Sequence, residues 1–378
     1  MAAAGLIFSN IHDQCIPEMT RIRTMASIPF GCRYRLIDFA LSNMVNSNIT
    51  NVGIITHYNY QSLLDHIGNG KDWDLARRSG GIKILPPFFA AYENASASKI
   101  YENRLEALMG AVSFINRCGA DYIVLSDCDT ILNIDLSKVL EDHVESGAYM
   151  TVVTKKLATG KKYRFENPVS VLKVDEEGRI TDMEDRRPEK GGVIITTNIM
   201  VLKRTDLQEI VAEAIARGQR SFHKDVIAKN LKKKVIRSYP FEGWYEQVSS
   251  MESYFQCSMD MLNEDARQDL FYNTERQIYT KIRNSAPAKY AKGAKVKNSL
   301  IADGCVIEGT VENSILFRNV HVGKGTVVKN CILLQDTYVG VNAQLNCVVT
   351  DKNVVIKDDR VLSGHETRPY FIGKGETV

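Results

Sequence analysis

Two aspartates close an apolar run: Leu125-Ser126-Asp127-Cys128-Asp129 follows Asp121-Tyr122-Ile123-Val124. Carboxylates delivered into a turn by a strand end are a place to look for chemistry, because acidic oxygens hold Mg²⁺. The histidines offer less. His57, after Thr56 at another strand end, reads as a core or rim residue, and no Ser-His-Asp or Cys-His arrangement stands out. The eight cysteines contain no Cys-x-x-Cys pair and no zinc-ligand spacing with histidine. Several sit in apolar runs such as Asn330-Cys331-Ile332-Leu333, which suits free, buried thiols in a reducing cytosol.

The surrounding pattern says what positions these groups. Residues 51–56, 121–126 and 149–153 read as buried strands, and 60–67 and 104–116 as helices between them. Strands alternating with helices predict an α/β layer with a Rossmann-like, mixed and mostly parallel sheet. Asp175-Glu176-Glu177-Gly178 reads as a turn between two further strands, and 206–217 and 250–262 as helices. Near Pro287 the character changes. Residues 1–286 therefore read as one domain, its last part (263–286) as a linker, and 287–378 as a second domain.

That second domain carries an internal repeat. Asn298-Ser299-Leu300-Ile301 recurs at Asn313, Asn330 and Asn346, at steps of 15, 17 and 16 residues. Between these lie hexads such as Ile301 to Val306 and Val322 to Val327. An aliphatic residue every six, followed by a small one, predicts a parallel β-helix with three short faces per coil, glycine easing the corners.

Composition bounds the partners. The chain has 378 residues, 25% of them charged, with a net charge of +3. Lys and Arg are spread along it, so neither nucleic acid nor an anionic membrane is an expected partner. The longest mostly apolar stretch, 192–202, is broken by Thr196, Thr197 and Asn198 and falls short of the roughly 20 residues of a membrane span. The first ten residues lack a basic flank, so no signal peptide is expected and the cytoplasm is the expected location.

Three segments carry a resemblance. Ile28-Pro29-Phe30-Gly31-Cys32-Arg33-Tyr34-Arg35-Leu36-Ile37-Asp38-Phe39-Ala40-Leu41-Ser42-Asn43 resembles the P-F-G-G-K-Y-R-I-I-D-F-x-L-S-N segment of ADP-glucose pyrophosphorylases. Trp73 to Gly81 with Leu85-Pro86-Pro87 resembles that family's W-D-x-x-R-R-x-G-G and L-P-P, and Phe222 to Ile227 resembles its F-G-K-D-I-I. The resemblance spans nearly the whole chain. It implies a GT-A-like nucleotidyltransferase domain, a C-terminal left-handed β-helix and a tetramer. The reaction implied joins ATP and glucose 1-phosphate into ADP-glucose and pyrophosphate.

Against that family the catalytic parts are depleted. The G-G-G-x-G-T-R-L phosphate loop is matched by Ala3 to His12, with one glycine and no arginine. Met25 stands where the family has a lysine, and Arg23 is the nearest cation in sequence. Asp127 and Asp129 fall at the family's G-D-H turn as remnants of a metal site. Gln247 falls where W-R-D-V-G-T has its second aspartate, with Glu246 beside it. Asn103-Arg104-Leu105-Glu106-Ala107 replaces G-T-A-D-A and puts larger side chains into nucleotide space.

What survives suits binding. Glu184, Asp185, Arg186 and Arg187 resemble the family's E-E-K-P, and with Lys224 they are candidates for sugar phosphate. Arg33, Arg35, Arg117 and Arg368 are candidates for a phosphorylated effector. The pattern resembles GlgD-type subunits of the family. It implies a non-catalytic or barely active regulatory subunit that modulates a catalytic GlgC-type paralogue in a heterotetramer, with a homo-oligomer alone as a further state. No cofactor is expected for this chain by itself; Mg²⁺ and ATP belong to the catalytic partner. The alternative is an active glucose-1-phosphate adenylyltransferase with rearranged catalytic residues. A β-helix acyltransferase would need a histidine in or beside the coils, where only His321 and His365 lie.

Overall fold

The computed structural model describes residues 2–86, 101, 103–160, 163 and 165–378. Pro87, the end of the Leu-Pro-Pro motif, lies outside them. Four neighbouring strands of the main sheet run parallel, in the order Tyr122–Asp127, Ala3–Phe8, Asn51–Ile55, Gly81–Leu85. The first three are buried along nearly their whole length, which is why each reads as a nearly continuous apolar run rather than an alternation, whereas Gly81–Leu85 at the sheet edge is half-buried and exposes Lys83. Ile194–Lys203 joins antiparallel beside Tyr122–Asp127 and splits at a register shift between Thr196 and Met200. Its first half pairs with both Met150–Lys156 and Val169–Val174, so the sheet is mixed. Asn198 takes a left-handed φ of 61° at that break, a conformation asparagine tolerates better than most. The three polar residues that interrupt the apolar stretch thus mark a bulge inside the sheet.

Among the described residues, no helix is long and apolar enough to cross a membrane. The helix expected over 104–116 is two helices, Arg104–Gly110 and Val112–Arg117, broken at Ala111 after the poor helix former Gly110.

The C-terminal domain is a left-handed parallel β-helix of three five-stranded sheets. Its corners are turned mainly by asparagine and aspartate: Asn298, Asn313, Asn330, Asn319 and Asp336 all have positive φ. Stacked corner side chains bond along the axis, as Asn298 to Asn313 at 2.8 Å and Asn319 to Asp336 at 2.9 Å. Gly323 serves differently: a Cβ there would lie 2.4 Å from the Gly340 carbonyl oxygen of the next coil. The repeated Leu-Ile doublets have two destinations. Leu316 and Leu333 fill the helix interior, while Ile315 and Ile332 face out into the apolar cluster that contains Phe30, Phe39, Leu41 and Tyr254 of the first domain. The middle strands of one β-helix face are therefore buried on both sides. Residues 272–288 run between the domains outside any helix or strand, pinned to Asn46, Asn133 and Ser42.

Candidate functional site

The two aspartates stand at the carboxyl end of Tyr122–Asp127, beside the end of Ala3–Phe8. That is the place in an open α/β sheet where ligands bind. Both are almost fully buried, at 1% exposure. The chain after Ala3–Phe8 makes no glycine cradle. No residue from Ser9 to Asp13 has positive φ, and His12 adopts φ −109°, ψ 18°. The one retained glycine, Gly5, lies inside the strand, where a Cβ would be 2.8 Å from Met44 Sδ. It serves packing against the helix Leu36–Asn46.

His12 turns its ring onto the carboxylates: Nε2 is 3.1 Å from Asp127 Oδ2 and 3.8 Å from Asp129 Oδ2. Arg104 comes from the other side. Asn103 caps its helix by accepting from the Glu106 N–H at 2.9 Å, which fixes the first turn. The Arg104 guanidinium then donates from Nε to Asp127 Oδ1 at 3.3 Å and from Nη2 to Asp127 Oδ2. The short pairing of Glu246–Gln247 with Thr130–Ile131 delivers Gln247, whose Nε2 donates to Asp129 Oδ2 at 2.8 Å. Asp129 Oδ1 is buried and has no partner among the described residues.

The charges follow from these contacts. Burial acts to raise Asp127, but Arg104 and His12 hold it down at about 2. Burial, with Asp127 adding to it, raises Asp129 against the opposing pull of His12 and Gln247. Burial acts to lower His12, yet the two carboxylates carry it well above its ordinary value. His223 is pushed to about 3 by burial and by Arg104, so its ring is neutral. Its Nε2 accepts from Arg104 Nη1 at 3.0 Å, and its Nδ1–H faces Ser170 Oγ at 3.3 Å. Ser170 Oγ donates onward to Asp185 Oδ1 at 2.6 Å. A continuous chain of polar contacts thus runs from Asp127 through Arg104, His223 and Ser170 to Asp185.

His12, Asp127 and Asp129 bring their ligand atoms within 4.8 Å of one another, a potential metal-coordinating cluster. Mg²⁺ seeks several oxygen donors in octahedral array. Here three of the four carboxylate oxygens already accept from the chain's own donors, the third protein donor is an imidazole, and a guanidinium stands among them. This set does not fit Mg²⁺.

Met25 is fully buried in the core, its N–H bonded to Asp13 Oδ1 at 2.6 Å. Arg23 does not take the lysine's place. It crosses to the β-helix and grips Asp351 at 2.7 and 2.8 Å. Glu184, Asp185 and Arg186 lie at the exposed end of the strand Ile180–Arg186, with Arg187 next to it. Glu184 pairs with Arg186 at 3.4 Å. Lys224 is exposed on the turn capped by Ser221. A cavity of about 770 Å³ opens beside Gln247, lined among others by Trp244, Tyr245, Tyr163, Phe165 and Lys155, and none of those five candidates lines it. His57 stays on the rim against Tyr58 and Tyr101.

Arg33 and Arg35 line a narrow cleft between the domains together with Lys281, Arg283, Arg318 and Lys352. Burial, then Arg35 and Arg23, lower Lys352 to about 7. Arg117 ends its helix and Arg368 lies in the turn bridged to His365, and neither lines this cleft. The roles of His12, Arg104 and His223 were not read from the sequence. The available signal was a cationic residue at position 104, in a segment the resemblance fills with small side chains.

A family profile described as nucleotidyl transferase matches residues 17–264, and one described as GlmU-like, C-terminal hexapeptide matches 286–368. Together they define a nucleotidyltransferase domain joined to a hexapeptide β-helix. The "Glycogen biosynthesis protein GlgD" of Bacillus subtilis (strain 168) is 32% identical over 98% of this chain and 95% of its own length. The "Glucose-1-phosphate adenylyltransferase" of Bacillus thuringiensis (strain Al Hakam) is 32% identical over 92% of this chain and 91% of its own. The enzyme of that name in Geobacillus stearothermophilus is 35% identical over 80% and 77%. The chain belongs to the ADP-glucose pyrophosphorylase family.

Proposed function

We propose that this chain is a non-catalytic or barely active regulatory subunit of glucose-1-phosphate adenylyltransferase. It modulates the formation of ADP-glucose from ATP and glucose 1-phosphate by a catalytic GlgC-type paralogue, within a heterotetramer that serves glycogen biosynthesis. One observation carries the reading: the carboxylates at the strand end are engaged by the chain's own Arg104, His12 and Gln247. Transfer of an adenylyl group brings anions together and needs charge stabilisation at the reacting phosphate. A site whose charges are satisfied internally offers little of it. The similarity to the Bacillus subtilis GlgD protein over nearly the full length supports the same reading.

The basic cleft holding Arg33 and Arg35 is the proposed seat of a phosphorylated effector, since clustered guanidinium and ammonium groups recognise phosphate. The second reading, an active adenylyltransferase with rearranged residues, draws on the convergence of Asp127 and Asp129 beside the 770 Å³ cavity. Assaying pyrophosphate release by this chain, by a catalytic paralogue, and by the co-expressed pair separates the two. The regulatory reading expects a higher rate or a changed effector response in the mixture and none from this chain alone. Turnover by this chain alone equal to that of the mixture supports the second reading instead.

A further inference from the structure

Arg104 occupies its position by construction. Its helix start is capped by Asn103, its stem and head are 6% exposed, and its guanidinium lies 5.5 Å over the Phe8 ring. All three nitrogens have partners: Nε and Nη2 on Asp127, Nη1 on His223. A buried, hydrogen-bonded guanidinium on a buried carboxylate is a fixed pair, and removing either member leaves an uncompensated charge. A dication entering between Asp127 and Asp129 would meet this fixed positive charge and would have to displace donors from three oxygens. Among the described residues, only Asp129 Oδ1 is without one.

We propose that Arg104 is a resident cation that replaces the divalent metal at Asp127 and Asp129, so that this chain keeps its cleft ordered without metal and takes none up. Arg104 holds this place in the isolated chain, whatever the chain's role in an assembly. It also explains why Met25 and Gln247 are not the only barriers to chemistry: with Arg104 in place, restoring a lysine or an aspartate returns no metal.

The test uses the intact chain and Mn²⁺ as the probe, with free Mn²⁺ followed by electron paramagnetic resonance and the melting midpoint compared in chelator and in Mn²⁺. Wild type is expected to bind no Mn²⁺ and to melt at the same temperature in both. Arg104→Ala is expected to melt lower in chelator, to gain one Mn²⁺ per chain, and to recover part of its midpoint when Mn²⁺ is added. Should Arg104→Ala not fold, Arg104→Met keeps the packing on Phe8 and is read in the same way. Uptake of one Mn²⁺ by wild type, lost in Asp127→Asn, overturns the proposal, as does a folded Arg104 variant that binds none. Either failure leaves the regulatory reading to its own test, which is turnover in the mixture.

Discussion

Met25 and Lys352 show how single positions set what this chain can do. Met25 stands fully buried where the family resemblance expects a lysine. Met25→Lys places an ammonium in the core, and we expect it to lower unfolding stability by about 2–5 kcal/mol, read from urea titration, without creating turnover. Lys352, half-buried, lines the basic cleft. Its native value of about 7 lies below the ordinary lysine value, so the folded chain releases this proton first. The penalty of holding it charged is full below pH 7 and is relieved as pH rises from there toward the unfolded value. An anion in the cleft favours the charged form. Sulfate, whose own charge is constant over this range, should therefore bind more weakly above pH 7, by up to about tenfold per pH unit for one proton taken up. Calorimetric titration between pH 6 and 9 checks this. Lys352→Gln should flatten the profile, and a flat wild-type profile would exclude Lys352 from the site.

At the scale of elements, the β-helix doublets separate two kinds of burial. Ile332 faces the first domain and Leu333 the coil interior. Each truncation to Ala should cost about 2–5 kcal/mol. Only Leu333→Ala should also destabilise the coils themselves, which hydrogen exchange along 315–349 would report, whereas Ile332→Ala should loosen contacts between the domains. The repeat was legible because a coil needs the same inward residue at each pass, and the strand ends were legible because doubly buried strands are apolar throughout. The corners were less so: the expectation gave them to glycine, while the coils use stacked asparagines that supply both a left-handed turn and a bond to the next coil. Sequence placed Asp127 and Asp129 at a strand end but could not place Arg104. That residue lies 23 positions away, and its contact depends on how the first turn after Asn103 is seated. Likewise Arg33 and Arg35 are close in sequence to each other, but Lys281 and Arg283 join them from the connecting stretch, and Arg318 and Lys352 only when the β-helix packs against the first domain.

At the scale of the molecule, Arg23 and Asp351 tie the domains through a buried pair 2.7 Å long, with each side chain no more than 3% exposed. Arg23→Ala leaves Asp351 buried without its guanidinium partner and is expected to cost about 3–5 kcal/mol in urea titration. Arg23→Ala with Asp351→Ala should cost less than the two single changes added together. A cost that is simply additive would mean the two residues act independently.

Because isoleucines of the coils and phenylalanines of the sheet domain share one greasy seam, severing the polypeptide near residue 286 would bare an oily flank on both fragments. Expressed apart, the halves should clump, and mixed during refolding they should rescue each other's solubility. In calorimetry the uncut protein should show one endotherm where a loosely tethered pair would show two.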